Sequence, residues 1–384
     1  LNTKNNLCES IRHCAYQHGF DLCHFSRPEI SGKDRKALDN WVGSNMHADM
    51  AWMAEESRLE RRKEPNSMMD DVQTVISLAM RHAPPPYSLE HANNASNKGI
   101  IASYAHGVDY HDVMKKRLKA LARDLDKLLG EHEQRVYVDT APVLEHALAA
   151  SAGLGWQGKH TLTIHRQQSS WMMLGELFTS ANIPVDNPSN EHCGSCTACM
   201  DVCPTKAIVA PYVVDANLCI SYLTIEYKGF IPYELRPLMG NHIYGCDDCQ
   251  AICPWNNKAK TPDTDLLTPR GENILPELAM LLHLDEQDFR ERFRKSPVKR
   301  TGRAAFLRNV CIAMGNSGDI EFTPLLLKAL YDGEHLIRGH AIWALSVLHR
   351  LHHIDGFIEK LIELKKKEEN NDVLKEIKAI LSPK

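Results

Sequence analysis

Apolar and polar positions along the chain change their rhythm twice. VQTVISLAM (72–80) and RVYVD (135–139) are short apolar, β-rich runs that predict strands. YHDVMKKRLKALARDLDKLLG (110–130) sets Val113, Leu118, Leu121, Leu125 and Leu128 on one side with charges opposite. That is the period of an amphipathic helix, stopped at Gly130. RHAPPPYSLEHANNASNKG (81–99) is rich in proline, then asparagine, and predicts a loop. APVLEHALAASAGLGWQGKHTLTI (141–164) reads as a helix, a glycine-rich turn and a strand. Mixed in this way, residues 1–185 predict an α+β or α/β domain around a central sheet.

Residues 186–265 lose these periods and carry most of the cysteines. Residues 266–384 recover a helical period. Segments 304–316, 321–332, 336–349 and 354–364 are expected to be amphipathic helices, with loops at 315–318, 332–333 and 352–355. AAFLRNVCIAMGN (304–316) and RGHAIWALSVL (338–348) stand roughly 35 residues apart, which suits two units of a HEAT-like helical repeat. So short a stack is expected to lean on the domain before it. LKKKEENNDVLKEIK, near the end, is balanced in sign and reads as a solvated helix.

With 384 residues the chain has room for two or three domains, and its 43% apolar and 24% charged residues suit a globular protein. No apolar run is long enough to span a bilayer. The opening LNTKNNLCESIRHCAYQHGFD lacks the apolar core of a signal peptide, so a reducing, cytoplasmic setting is expected. A net charge of −4 excludes a globally basic nucleic-acid binder; any polyanion must meet a local patch.

Chemistry enters with eight of the twelve cysteines. Cys193-x2-Cys196-x2-Cys199-x3-Cys203-Pro204 is the bacterial ferredoxin run, whose fourth cysteine ligates the other of two clusters. Cys246-x2-Cys249-x3-Cys253-Pro254 repeats it without a first cysteine, and Cys219 is the natural substitute. One 4Fe–4S cluster is therefore expected on Cys193, Cys196, Cys199 and Cys253, and a second on Cys203, Cys219, Cys246 and Cys249. Structural zinc is the alternative for Cys-x2-Cys pairs, but it does not explain two runs ending in Cys-Pro. Cys8, Cys14, Cys23 and Cys311 read as ordinary thiols.

Other features are less selective. ERFRKSPVKRTGRAAFLR (291–308) holds Arg292, Arg294, Lys295, Lys299, Arg300, Arg303 and Arg308 against one acid. It is either a solvated helix face or a surface for nucleic-acid phosphates. Asp139 ends a strand before Thr-Ala-Pro, a place equally suited to a catalytic acid and to a helix N-cap. Gly153, Gly155 and Gly158 can admit a flat cofactor but lack dinucleotide spacing. His106, His111, His160 and His165 form no paired ligand motif.

Taken in order, YAHGVDYH (104–111), VDTAPVLEHALAASAGLGWQGKHTL (138–162), LGEL (174–177), the two cysteine runs, CISYLTIEYKG (219–229) and YGCDDCQAICPWN (244–256) resemble the epoxyqueuosine reductases. The resemblance covers almost the whole chain. Ala141 departs from the family's usual glycine, which a backbone with φ below zero tolerates. The resemblance implies an α+β protein: a cobalamin-binding α/β domain (1–185), a ferredoxin-like module with two 4Fe–4S clusters (186–265) and a HEAT-like domain contacting tRNA (266–384). It implies reduction of epoxyqueuosine to queuosine at the wobble position of tRNA, the last step of queuosine synthesis. Cob(I)alamin would attack the epoxide, with electrons passed through the clusters and a proton from Asp139, whose pKa burial beside the corrin would raise. Arg62, Tyr104, Asp139, Thr163, Leu174, Ser221, Cys246 and Asp247 would lie by the corrin, with no histidine as lower ligand. Lys228, Lys299, Arg300 and Arg303 would contact the tRNA, whose modified base must leave its stack. An external electron donor, a monomer and no membrane complete the expectation. A cobalamin reductase of small molecules and a non-enzymatic electron carrier are the competing readings.

Overall fold

The computed structural model describes residues 2–257, 259 and 267–382. They gather into two compact units, one of residues 1–84, 107–217 and 248–268, the other of 85–106, 218–247 and 269–384. The cysteine-rich stretch contributes to both units. Side-chain bonding within each unit explains the division. Gln250 and Asn256 hydrogen-bond Ser170 in the first unit at 2.7 and 2.8 Å. Residues 218–247 are tied instead to the helices of the second.

The first unit is built on four strands: β1 (Leu22–Ser26), β2 (Thr74–Arg81), β3 (Gln134–Tyr137) and β4 (Met172–Thr179). Their order is β1-β2-β4-β3, and every neighbouring pair is antiparallel. The α+β class holds, but the α/β arrangement expected of the first segment does not form. β2 and β4 are buried on both faces, which is why they read as nearly unbroken apolar runs.

One face of this sheet is covered by the helix Tyr110–Leu129. Met114, Leu118, Leu121 and Leu125 are its buried stripe, worth about 2 kcal/mol each by area removed from water. Leu128, expected on that stripe, is exposed, and Met114 takes the place expected of Val113. Gly175 lets the helix close on β4, because a Cβ there would sit 2.8 Å from the Met114 sulfur. Asp109 caps the helix through the His111 amide, and Gly130 ends it at φ +77. The opposite face packs under the short helix Glu145–Ser151, whose Leu148 and Ala149 join Leu174, Phe178 and their neighbours in the core.

In the second unit the helix Arg303–Ser317 packs on His335–His352, which packs in turn on Thr323–Ala329 and Asn371–Leu381. Arg303–Ser317 was expected to be amphipathic, yet every residue from Ala305 to Gly315 is buried. It lies between His335–His352 and the 218–247 segment, so both sides face protein. Gly315 allows the close helix approach, since a Cβ would fall 2.8–2.9 Å from Trp343 and Ala344. Polar side chains tie the other side down. Arg308 donates to the carbonyls of Leu223, Tyr227 and Gly229, and Asn309 donates to those of Thr224 and Ile243. The charged tail is not simply solvated. It breaks at Asn370, which caps Asn371–Leu381 and lets Glu376 reach the buried Arg236 in a two-point ion pair at 2.7 and 3.0 Å.

Arg308 is thus a structural cation. Arg308→Met leaves buried carbonyls unpaired and is expected to cost about 3 kcal/mol. Denaturant unfolding followed by circular dichroism should show a lowered midpoint; an unchanged midpoint contradicts this role.

Candidate functional site

Asp139 sits just past β3, in a backbone turn at φ +31 that non-glycine residues rarely adopt. The turn is held from two sides. Its amide donates to Glu145 Oε1 at 2.7 Å, and its carboxylate Oδ2 meets His111 Nε2 at 2.8 Å. The next helix starts only at Glu145, so Asp139 is not its N-cap. Ala141 does not have positive φ, and its methyl group fits the turn.

His111 lies between two carboxylates. Its Nδ1 is 2.6 Å from Asp109 Oδ1, and Tyr110 stacks on its ring at 4.0 Å. Burial alone would lower the imidazole pKa, but the bonds to Asp109 and Asp139 outweigh it and raise it to about 9. The ring is therefore an imidazolium at neutral pH and donates from both nitrogens. The Asp139 side chain is 51% exposed and paired with a cation.

Beneath this surface pair lie two more carboxyls. Glu145 is pushed up to about 8, first by burial and then by the negative charge of Asp139. Glu176, fully buried in β4, is pushed well above the usual range by burial and by Glu145. His146, next along, shares a 2.7 Å hydrogen bond with Thr163 Oγ1 and is held neutral by burial, at about 4.

The first unit also gathers thiols. Cys199 and Cys253 are buried and interact electrostatically with each other and with Cys193 and Cys196. Burial raises the pKa of Cys199 and Cys253, the direction for thiols set in an apolar wall. This is the crossed set expected for one cluster. Trp156, Ile164 and Trp255 pack around Cys193 and Cys253, with the two indoles 4.8 Å apart. Lys159 is buried and donates to the carbonyls of Gly194 and Cys196 at 2.7 and 2.8 Å, bracing the loop between the cysteines. Of the second expected set, Cys203 and Cys249 belong to the first unit and Cys219 and Cys246 to the second. The Cys203 sulfur already accepts from the Ala207 amide.

The remaining expected residues are placed unevenly. In the first unit, Arg62 is buried against Trp52, and burial lowers its pKa to about 10. Thr163 is buried on His146, and Leu174 is a core residue packed with Leu22, Ala79 and Ala149. Gly153, Gly155 and Gly158 do not leave room for a cofactor. Added Cβ atoms would strike Asn187 O at 2.2 Å, Ile164 O at 2.5 Å and the Ile164 side chain at 2.7 Å. These glycines serve the chain's own close contacts. In the second unit, the Tyr104 ring lies 6.3 Å from that of Tyr244, Asp247 accepts from the Ser103 amide at 2.6 Å, and Ser221 and Cys246 are half-buried.

Among the basic residues, Arg294, Lys295, Lys299 and Arg300 are exposed. Arg303 is tied to Asp332 by both guanidinium ends, and Lys228 donates to the carbonyls of Ile225 and Thr301. The charge run is neither all solvated nor all available.

Spacing did not point to His111, Asp109, Glu145, Glu176 or Lys159 as site residues. Their only sequence signal is that they fall inside the Asp-Tyr-His, Val-Asp-Thr, Leu-Gly-Glu and Gly-Lys-His segments.

Comparison with known proteins follows this geometry. Residues 62–140 match the family model described as epoxyqueuosine reductase QueG, DUF1730, and residues 192–256 match a 4Fe-4S double cluster binding domain. The latter span contains all seven cysteines of the two runs and Cys219. The chain is 40% identical over 345 residues to the epoxyqueuosine reductase of Escherichia coli (strain K12), covering 89% of each. It is 39% identical over 343 residues to that of Xanthomonas campestris, covering 88% of this chain and 94% of the relative. Among solved structures it is similar to an epoxyqueuosine reductase with an epoxyqueuosine-modified tRNA-Tyr stem loop, at TM-score 0.88 and 28% identity over 99% of both chains. The enzyme from Streptococcus thermophilus matches at TM-score 0.87 and 28% identity over 98% of both.

Two outcomes are expected. Cys253→Ser, reconstituted anaerobically, should lose one of two clusters, halving the iron content; full iron content contradicts the crossed set. The second concerns His111, whose folded pKa is raised from 6.5 to about 9. Its contribution to stability is complete below about 6.5 and is lost as pH rises through 9. The gap in unfolding midpoint between the parent chain and His111→Gln should therefore shrink from pH 7 to pH 10. A constant gap contradicts the imidazolium.

Proposed function

This chain belongs to the epoxyqueuosine reductase family, and from that premise we propose that it reduces epoxyqueuosine in tRNA to queuosine. The observation that carries the reading is the half-exposed Asp139 carboxylate on the His111 imidazolium, in the same unit as four gathered thiols. One group handles protons and the other holds a centre that moves electrons.

The chemistry sets the requirements. Removing the epoxide oxygen consumes two electrons and two protons and leaves an alkene and water. Both C–O bonds break, so the departing oxygen must be protonated as charge develops on it. Asp139 is our choice for the group that protonates it. Asp109 orients His111, and the His111 imidazolium supplies the proton that Asp139 passes on. The strained turn at φ +31 fixes where that carboxyl points.

The cysteines fit iron–sulfur clusters in number and chemistry. Cys193, Cys196, Cys199 and Cys253 would hold one, within an apolar wall that includes Trp156 and Trp255. Lys159 would keep the loop closed around it. The second set would be Cys203, Cys219, Cys246 and Cys249. An external one-electron donor would reduce the clusters. A reducing, cytoplasmic compartment suits cysteines that ligate iron–sulfur clusters as thiolates.

A cobalamin is the group we propose to act on the epoxide carbon; when bound, it supplies a cobalt nucleophile that accepts electrons singly and delivers two. The first unit fits it at Asp139, which presents an exposed polar edge. Thr163 and Arg62 would act more indirectly, through His146 and Trp52, and Leu174 would contribute as core beneath. No helix among the described residues is long and apolar enough to cross a membrane. On the second unit, exposed Lys299 and Arg300 are the cations we assign to tRNA phosphates, with Arg303 and Lys228 shaping the surface beside them. We take a monomer as the working unit and the helices of that unit as a HEAT-like array.

Asp139→Asn tests the assignment. It should keep its iron, bind cobalamin with an unchanged visible spectrum and bind tRNA, yet lose about 100-fold or more in turnover. Turnover is read as loss of one oxygen from the modified nucleoside by mass spectrometry. Full activity in this variant removes Asp139 from the reaction.

A further inference from the structure

The reaction takes two protons, and Asp139 carries at most one at a time. The question is what stands behind it. β4 places Glu176 in the middle of the sheet, opposite Ser77 of β2 and Tyr137 of β3. It shares its face with Leu174 and Phe178, which belong to the two apolar clusters under the helix Glu145–Ser151. The Glu176 side chain is fully buried, and neither carboxyl oxygen has a hydrogen-bond partner at normal geometry. The Ser77 hydroxyl beside it is also unpartnered.

A carboxylate cannot stay ionised in such a place without a cation, and among the described residues no cation is bonded to it. The titratable groups around it are few. From the covering helix come Glu145 and the neutral His146, from the β3 end Asp139 and Tyr137, and from the Tyr110–Leu129 helix His111. On the far side of Ser77 the β1 partner is His24, which burial also holds below its usual pKa. The one strong cation, His111, faces Asp139 and Asp109 and is used by them. Glu145 bridges the two levels. It faces Glu176 below, and its Oε1 accepts the Asp139 amide proton above.

We propose that Glu145 and Glu176 form a carboxyl pair that keeps a proton in the protein interior and passes it to Asp139 for the second protonation. The proposal rests on the reaction put forward above. Its balance is simple. The first proton, held by the His111 imidazolium against Asp139, goes through Asp139 to the epoxide oxygen as one C–O bond breaks. Glu145 then gives its proton to Asp139, while Glu176 keeps its own and stabilises the Glu145 carboxylate. Asp139 delivers this second proton as the other C–O bond breaks and the oxygen leaves as water. Only O–H bonds change on the pair, the two electrons come through the clusters from the external donor, and solvent refills the pair after release. Glu145 and Glu176 touch neither substrate nor cofactor; they act through Asp139. Two carboxyls this close cannot both ionise, so the pair retains a proton at a pH where an ordinary glutamate has none. A purely structural role would not need an acid there, since glutamine matches its shape.

The test has two arms. The full-length chain, with clusters loaded and no cobalamin, is titrated by infrared spectroscopy from pH 6 to pH 10. A protonated-carboxyl band is expected to persist at pH 7, fade as pH rises past about 8 and vanish in Glu145→Gln/Glu176→Gln. No such band in the parent chain overturns the proposal. In the second arm, loaded Glu145→Gln and Glu176→Gln turn over modified tRNA. KM should be unchanged and kcat near parental at pH 6, with kcat about fivefold lower at pH 8 as the alkaline limb moves down by one unit from about 8. A pH profile identical to the parent's overturns the proposal. If Glu176→Gln does not fold, Glu145→Gln and the infrared titration of the parent chain decide. If the parent chain leaves tRNA untouched, the function proposed above fails, while the infrared arm still judges the pair.

Discussion

One cubane cluster needs four thiolates at one point, and Cys193, Cys196 and Cys199 are gathered with Cys253, which lies more than fifty residues on. That requirement shapes the first unit. The chain must leave after Cys203, run through residues that belong to the second unit, and return at Asp248 to place Cys253 against Trp156 and Trp255. Gln250 and Asn256 fasten the returning segment to Ser170, and Lys159 closes the loop from the other side. The compact units are consequently composite.

The proton side of the site has a different logic. Exposed Asp139 is paired with a histidinium, whereas burial and neighbouring carboxyls push the deeper Glu145 and Glu176 toward the neutral acid. Charge is kept where water or a partner can stabilise it, and neutral acid where neither can. The strained backbone at Asp139 and the buried acid in β4 both cost stability. Apolar clusters on either side of Glu176, and the Met114–Leu125 stripe on the opposite face, offset those costs. The second unit uses the same device for architecture alone: Arg236 meets Glu376, and Arg308 is spent on carbonyls.

What could be read from the chain depended on whether the signal was local. The Tyr110–Leu129 helix announces itself by period and by its Asp109 and Gly130 ends, and β2 by its apolar run. Cysteine spacing carried the crossed thiol set. Asp139 stood out, but its partner His111 lies 28 positions earlier, and no local pattern links them. Glu176 was hidden because one acid in Met172–Thr179 looks like a solvent-facing position of an alternating strand. The basic run misled for the reverse reason. Composition counts Arg308 with Arg300, whereas helix packing turns the first inward and leaves the second exposed. The tail was misjudged because its charge balance conceals Val373, Glu376 and Ile377, which face the core.

The most direct measurement follows the modified nucleoside itself. Anaerobically reconstituted chain, with both clusters loaded, is given a chemical reductant and tRNA carrying epoxyqueuosine, with and without cobalamin. The RNA is then digested and weighed by mass spectrometry. Loss of one oxygen only when cobalamin is present is the expected result, and it joins substrate, reaction and cofactor in one reading. An unchanged nucleoside, with clusters and cobalamin verified in place, would contradict the account.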